Sequence, residues 1–335
     1  MKKFLALTLA LVMSLSLVAC GDKKTDDTKT DEPDQKTEQP AENEGAYKVA
    51  MITDYGDITD QSFNQTTYEA CKAFAEDNGV EFSYFKPAGD NTADRVAMIE
   101  KAADEGYNVI VMPGYAFGGA IVEAAPEFPD VKFIALDVAA GDLLETAVAN
   151  AGESYDYNPS NWDLNKYVDM SNVYCAVYQE ELCGYMAGYA AVKLGYKNLG
   201  FLGGMAVPAV VRYGYGFVQG VDAAAADLGL TDVSLNYVYG GQFFGDADIT
   251  AVMDTWYAGG TEVVFACGGG IYTSAVDAAK KANAKVIGVD VDQAGVIAGY
   301  AGVEGMTVTS AMKGLYPTTY DTLTDVIVNG NWDAY

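Results

Sequence analysis

From Lys48 onward the chain alternates short β-branched apolar runs with longer amphipathic stretches, and that alternation restricts it to folds built from successive βα units. Lys48 to Thr53, Glu81 to Phe85, Asn108 to Met112 and Val131 to Leu136 read as strands, with helices near Thr92 to Glu105 and Phe117 to Ala125 between them. A second series follows, with strands Val173 to Tyr178, Asn198 to Leu202, Val233 to Tyr239, Glu262 to Cys267 and Lys285 to Val289. Its helices are Glu180 to Lys193, Val207 to Leu228, Ala247 to Ala258 and Tyr272 to Ala282, and a last helix runs from Leu315 to Asn329. Strands separated by helices need crossover connections, so the expected class is α/β: two lobes, each a doubly wound parallel sheet.

The first unit, Lys48 to Cys71, is the expected ligand end. Asp54 to Gln61 breaks the strand, and Ser62-Phe63-Asn64-Gln65 has the spacing of a capping box, which predicts a helix start near Ser62. An aromatic (Phe63), an amide (Asn64) and open backbone N–H groups then sit at the carboxyl edge of the first strand, where open α/β sheets hold ligands. Pro113-Gly114-Tyr115 and Asp137 also follow strands and could face the same edge. Gly268 to Gly270 lacks the Lys-Ser/Thr that completes a phosphate-binding loop, so it reads as a tight turn or a close backbone approach. Asp137 to Ser171 has no strand or helix pattern and is rich in Tyr, Asn and Asp; Tyr155, Tyr157, Trp162 and Tyr167 either close over a cleft or belong to a surface excursion.

Met1 to Cys20 has Lys2 and Lys3, an apolar run from Phe4 to Val18, then Ala19-Cys20-Gly21, the pattern of an export signal too short for a transmembrane span. Leu17-Val18-Ala19-Cys20 resembles a bacterial lipobox, which implies cleavage before Cys20 and lipidation of its sulfur, so that the protein is anchored on the extracellular face of a membrane rather than spanning it. Residues 21–46 carry almost only charged and small polar side chains and read as a disordered acidic tether. A net charge of -27 with only Arg95 and Arg212 as arginines excludes a nucleic-acid partner, whose phosphates require basic surface. The absence of His removes the usual general base and the commonest metal ligand, so no cofactor, metal site or catalytic residue is expected. Cys71, Cys175, Cys183 and Cys267 are scattered through apolar segments without metal-ligand spacing and read as structural thiols, with a disulfide left open.

Several pieces together resemble the basic membrane protein (BMP) family of lipoproteins, purine-nucleoside receptors of ABC importers. They are the D-x-G-x-x-x-D-x-S-F-N pattern at Asp54 to Asn64, Phe133 to Asp137, Glu180-Glu181 leading into Gly184 to Ala191, and Gly200 to Met205. The series continues with Gly214-Tyr215-Gly216-Phe217-x-x-Gly220, Gly268 to Gly270, Gly288 to Gln293 and Thr309 to Lys313, so that the resemblance spans roughly Tyr47 to Gly330. It implies a type I periplasmic-binding-protein fold, two lobes joined by a hinge that close on ligand, with lobe 1 at 47–179 plus 292–335 and lobe 2 at 180–291. It further implies that Phe63 and Phe244 stack on the two faces of a purine; the F-x-D spacing in Phe243-Phe244-Gly245-Asp246 favours Phe244 over Phe243. Asp54, Asn64 and Asp137 would meet polar edges of the ligand, Asp290 and Lys313 would hold the ribose hydroxyls, and Tyr213, beside Arg212, would line the cleft wall. The implied partners are a nucleoside and a permease, and the receptor is expected to act as a monomer. The chain departs from the family in the long aromatic segment after Asp137 and in stopping at Tyr335, where the family has a further stretch returning to lobe 2; that implies either a fragment or a short protein. Two other readings stand beside it: a receptor for a sugar or another small polar ligand, and a surface nucleoside hydrolase using carboxylates such as Asp54, Asp57 and Asp60.

Overall fold

The computed structural model describes residues 46–335, so the leader, the tether and Cys20 lie outside the described residues. The first lobe runs β1 (Lys48–Ile52), α1 (Phe63–Asn78), β2 (Glu81–Phe85), α2 (Thr92–Asp104), β3 (Val109–Pro113), α3 (Gly118–Ala124), β4 (Lys132–Leu136), α4 (Ala140–Asn150) and β5 (Val173–Ala176). The second runs α5 (Glu180–Lys193), β6 (Asn198–Gly203), α6 (Pro208–Leu228), β7 (Ser234–Tyr239), α7 (Ala247–Ala258), β8 (Val263–Cys267), α8 (Tyr272–Ala282), β9 (Lys285–Asp290), α9 (Ala294–Ala301) and β10 (Thr307–Met312). Finally α10 (Leu315–Leu323), prolonged by a wider turn over Thr324–Val328, packs Leu315 and Leu323 against Val49 and Met51 of the first lobe.

Each lobe is a five-stranded, all-parallel sheet, ordered β2-β1-β3-β4-β5 in one and β7-β6-β8-β9-β10 in the other. The two orders superimpose strand for strand. Each sheet is wound outward from its first strand, and the reversal of direction beside that strand opens the crevice where such folds take ligands. The duplication carries a sequence echo: Lys132-Phe-Ile-Ala-Leu-Asp137 along β4 and Lys285-Val-Ile-Gly-Val-Asp290 along β9. The central strands β3 and β8 are buried along their whole length, as sheets covered by helices on both faces require.

One contact fixes the second lobe's first two helices. A Cβ on Gly184 would lie 2.1 Å from the Tyr213 carbonyl oxygen, and one on Gly216 would lie 2.0 Å from that of Glu181. Helices α5 and α6 therefore touch backbone to backbone, and only glycine permits that approach.

Two expectations are corrected. The return to the first lobe does not come at residue 292: α9 and β10 stay with the second sheet, so lobe 2 extends through Met312 and the chain crosses back at Lys313. The short, half-buried β10, whose pairing with β9 shifts register between Thr307 and Ser310, gives little strand signal. The stretch after Asp137 is not patternless, because α4 occupies its first part. That helix lacks a Ser or Thr cap; instead the Asp142 carboxylate accepts the Ala139 N–H at 2.7 Å. Of the two readings of the aromatic segment, the surface excursion holds. Trp162 packs edge-on against Tyr155 and Tyr167, each at 5.7 Å, and its Nε1 donates to Asp156 at 2.7 Å. Among the described residues the cysteines are all unpaired thiols, Cys71 and Cys267 buried and Cys175 and Cys183 half-buried.

Candidate functional site

The loop from β1 to α1 is held by carboxylates. Asp54 follows β1 and turns its Oδ1 back to accept the N–H groups of Tyr55 (2.7 Å) and Gly56 (2.8 Å), while Arg95 Nε donates to the Asp54 carbonyl at 3.1 Å. Gly114, at φ 127°, seals the other side: a Cβ there would stand 2.8 Å from Asp54 Oδ2. Burial pushes the Asp54 pKa up against those two backbone donors.

Helix α1 starts where the spacing predicts, but Ser62 does not cap it. Asp60 does: Oδ1 accepts the N–H groups of Ser62 (2.9 Å) and Gln65 (3.0 Å), and Oδ2 those of Asn64, backbone at 2.9 Å and Nδ2 at 3.1 Å. A carboxylate gathers several orphan donors where a hydroxyl would gather one. Two consequences follow. Ser62 is released to donate from Oγ to Asp290 Oδ2 across the lobes at 2.6 Å, alongside Gln293 Nε2 donating to the Gln61 carbonyl at 3.1 Å. The Asn64 amide is locked by its nitrogen, so its Oδ1 is left buried and without a donor.

The corresponding ends of β4 and β9 carry aspartates in left-handed backbone, Asp137 at φ 61° and Asp290 at φ 65°. Aspartate tolerates that conformation better than most residues, and it recurs here at equivalent ends of the two sheets. Between them lies Lys313. Its ammonium pairs with the Asp137 carboxylate and with Glu180 Oε1 at 3.0 Å, while Arg212 Nε holds the other Glu180 oxygen at 2.6 Å. The ammonium also stands 5.1 Å from the Phe63 ring centre, 5.2 Å from Tyr178 and 5.6 Å from Tyr213. Burial alone would lower the Lys313 pKa, but Asp137, Asp290 and Glu180 outweigh it and hold the pKa well above the usual lysine range. Burial raises Asp137 to about 6 despite Lys313, and it raises Asp290 as well. Burial would raise Glu180 too; Lys313 and Arg212 reverse that and bring it below its usual range. One Asp137 oxygen, Oδ1, has no donor.

Of these groups Asp54, Asp60, Asn64, Asp137, Asp290 and Lys313 line one cavity of about 390 Å³ between the lobes, with Glu180 and Arg212 behind its wall, a volume within the range of small-molecule sites. All eight residues singled out as ligand-binding, Asp54, Phe63, Asn64, Asp137, Tyr213, Phe244, Asp290 and Lys313, are on its wall. Phe244 projects outward, 61% exposed, whereas the Phe243 ring fills a seat made by glycines: a Cβ on Gly204 would meet it at 2.3 Å and one on Gly268 at 2.7 Å. Sequence reasoning gave no role to Tyr55, whose buried hydroxyl has no partner, nor to Glu180 and Tyr178 in the ion network, and it gave Asp60 a place only among the carboxylates of the hydrolase reading. The N-terminal turn of α6, with Val207 and Val210, is the second lobe's counterpart of Phe63 and Asn64; strand-by-strand comparison of the two halves would have found it.

With this geometry in view, four similarities bear on the chain. A family model described as "ABC transporter substrate-binding protein PnrA-like" matches residues 47–334. The chain is 26% identical over 259 residues to the "ABC transporter nucleoside-binding protein BmpA" of Lactococcus lactis subsp. cremoris, a match covering 73% of this chain and 64% of that protein's length. It is 25% identical over 299 residues, 85% of this chain, to a protein of Pyrococcus abyssi named as a lipoprotein, again spanning 64% of that relative's length. In fold it is similar to a crystallised ABC transporter solute-binding protein of Aeropyrum pernix K1, with a TM-score of 0.66 at 20% identity over 85% of this chain and 71% of that one.

Proposed function

The chain belongs to the Bmp family of ABC transporter substrate-binding proteins, and from that premise we propose that it captures a purine nucleoside between its lobes and delivers it to a membrane permease. The observation that carries this reading is the pairing of an outward Phe244 from one lobe and Phe63 from the other with buried, donorless oxygens on Asn64 and Asp137 in one cavity. A buried acceptor without a donor costs about 1–3 kcal/mol, which a ligand donor recovers. A nucleoside brings such donors on its base and its diol, and a flat ring for the two phenyl faces. Asp290 and Lys313 are the proposed ribose partners: Lys313 can form three hydrogen bonds, and Asp137 and Glu180 take two. No bond is made or broken.

The test is calorimetry and thermal unfolding with inosine, guanosine, adenosine and a panel of sugars. A nucleoside at a hundred times its Kd should stabilise the protein by about 2.7 kcal/mol, while no free base accumulates. Stabilisation by sugars alone, or release of hypoxanthine from inosine, would overturn the proposal.

The same reading includes a lipid anchor at Cys20. The lipobox-like Leu17-Val18-Ala19-Cys20 supports it, and membrane attachment is assigned to acyl chains on that thiol. Cys20→Ser should release the protein from the membrane fraction or leave the leader uncleaved. An acylated variant recovered with membranes at the wild-type level would refute the assignment.

A further inference from the structure

Where α1 begins, two hydrogen bonds join the first lobe to the second. Ser62 Oγ donates to Asp290 Oδ2 at 2.6 Å, and Gln293 Nε2 donates to the Gln61 carbonyl at 3.1 Å. Ser62 and Gln293 have no exposed surface, and Asp290 keeps 5% of its own. Both partners of the second bond are held ready for it. Gln61 has left-handed backbone, φ 56°, and its N–H and side-chain nitrogen both donate to Gln65 Oε1, at 3.1 and 2.8 Å, which leaves its carbonyl for the other lobe. Gln293 is fixed within lobe 2: its Oε1 accepts the Val289 N–H at 3.0 Å and its own N–H donates to Ser310 Oγ at 3.1 Å. Gly288 makes the room, since a Cβ there would stand 2.9 Å from that Oε1.

Gln61, Ser62 and Gln293 lie outside the cavity wall, whereas Asp290 is part of it. We infer that Ser62 and Gln293 form a latch between the lobes, which touches no ligand, holds the cleft closed and sets how long a ligand is retained. Opening the cleft exchanges both bonds for water, so each favours the closed state by its surplus over hydration, and that surplus is larger where the acceptor is a carboxylate. Without the Ser62 hydroxyl, closure buries Asp290 Oδ2 without that donor, and the open state, where water serves the oxygen, gains. A ligand enters an open cleft and leaves by reopening it, so the latch acts on dissociation more than on association. Asp290 is common to latch and cavity and couples the two. The latch does not depend on which ligand the cavity takes.

The test compares wild type with Ser62→Ala and Gln293→Met, the second of which keeps side-chain length while removing the amide. Solution scattering without nucleoside should give both variants a larger radius of gyration than wild type, and saturation with inosine, guanosine or adenosine should bring all three to one value. Stopped-flow kinetics should show dissociation about tenfold faster in Ser62→Ala, with association within about twofold of wild type. Should one variant fail to fold, the other decides. Equal radii for unliganded wild type and variant would overturn the latch. Faster dissociation without expansion would overturn it too, because Ser62 would then act only through the grip of Asp290 on the ligand. A protein that binds no purine nucleoside would sink the nucleoside reading, while the unliganded scattering would still decide the latch.

Discussion

Lys313→Met is expected to cost the fold about 3–5 kcal/mol, the range for removing one partner from a buried ion network. The substitution nearly keeps the volume of the side chain, so the loss is electrostatic. It leaves Asp137, Glu180 and Asp290 as three buried carboxyl groups with Arg212 as their remaining cation, and Arg212 reaches Glu180 only. The sign of the pH dependence follows. Without the ammonium, the folded-state pKa values of Asp137 and Asp290, already raised by burial, rise further above their unfolded values. Raised carboxyl pKa values mean that the folded protein holds more protons than the unfolded one, so stability falls as pH climbs from the unfolded carboxyl pKa through the raised one. The deficit should therefore be largest at pH 7–8 and shrink toward pH 4–5. Adding Asp137→Asn to Lys313→Met should restore part of the loss, since the second change removes the orphaned charge. Urea unfolding of the two variants at both pH values checks this. A single variant within 1 kcal/mol of wild type at pH 8, or a deficit that grows on acidification, would mean that the network is solvated and contributes little.

How much of this could be read from the chain divides along a physical line. Strands such as Val109–Pro113 and Val263–Cys267 announce themselves because burial on both faces demands unbroken apolar runs, and Gly114 and Gly268 end them visibly. Cavity-lining residues were legible where they sit at carboxyl ends of parallel strands, as Asp137 does after β4, while Asp290 at the end of β9 came through the family resemblance. Local capping was legible in position but not in agent: Ser62 and Asp60 both suit a cap, and only the approach of Asp290 decides which one serves. The ion network was not legible at all. Lys313 and Asp137 lie 176 residues apart, and nothing near either residue announces the other. Glu180 looks locally like an ordinary acidic first residue of a helix, a placement that the helix dipole favours in any protein. Helix α4 was hidden because its start is Ala-Ala-Gly without a hydroxyl cap, and α9 with β10 because small residues and a register shift blur both periodicities.

Phe244→Ala is expected to lower nucleoside affinity about tenfold to hundredfold, one stacked face, while leaving stability nearly unchanged. With 61% of its surface in solvent, the ring has little burial to lose. Its neighbour Phe243 gives the contrast within the same loop. That half-buried ring fills the space that glycines 204 and 268 leave open, so Phe243→Ala should destabilise clearly more than Phe244→Ala, by up to about 3 kcal/mol. Phe63 stands between the two. Its ring lies half-buried against the first lobe's core and under the Lys313 ammonium at 5.1 Å, so Phe63→Ala should cost both affinity and some stability. The clamp is the one arrangement that yields this pattern. The two rings come from different lobes, and a ligand plane can touch both only across the cleft, so each truncation should weaken binding while the double variant falls short of the summed losses once the base is no longer held flat. Calorimetry for affinity and thermal unfolding for stability, run on all three single variants and the Phe63/Phe244 double, distinguish the outcomes. Affinity unchanged in Phe244→Ala, with the loss confined to Phe243→Ala, would transfer the second face of the clamp from the exposed ring to the half-buried one.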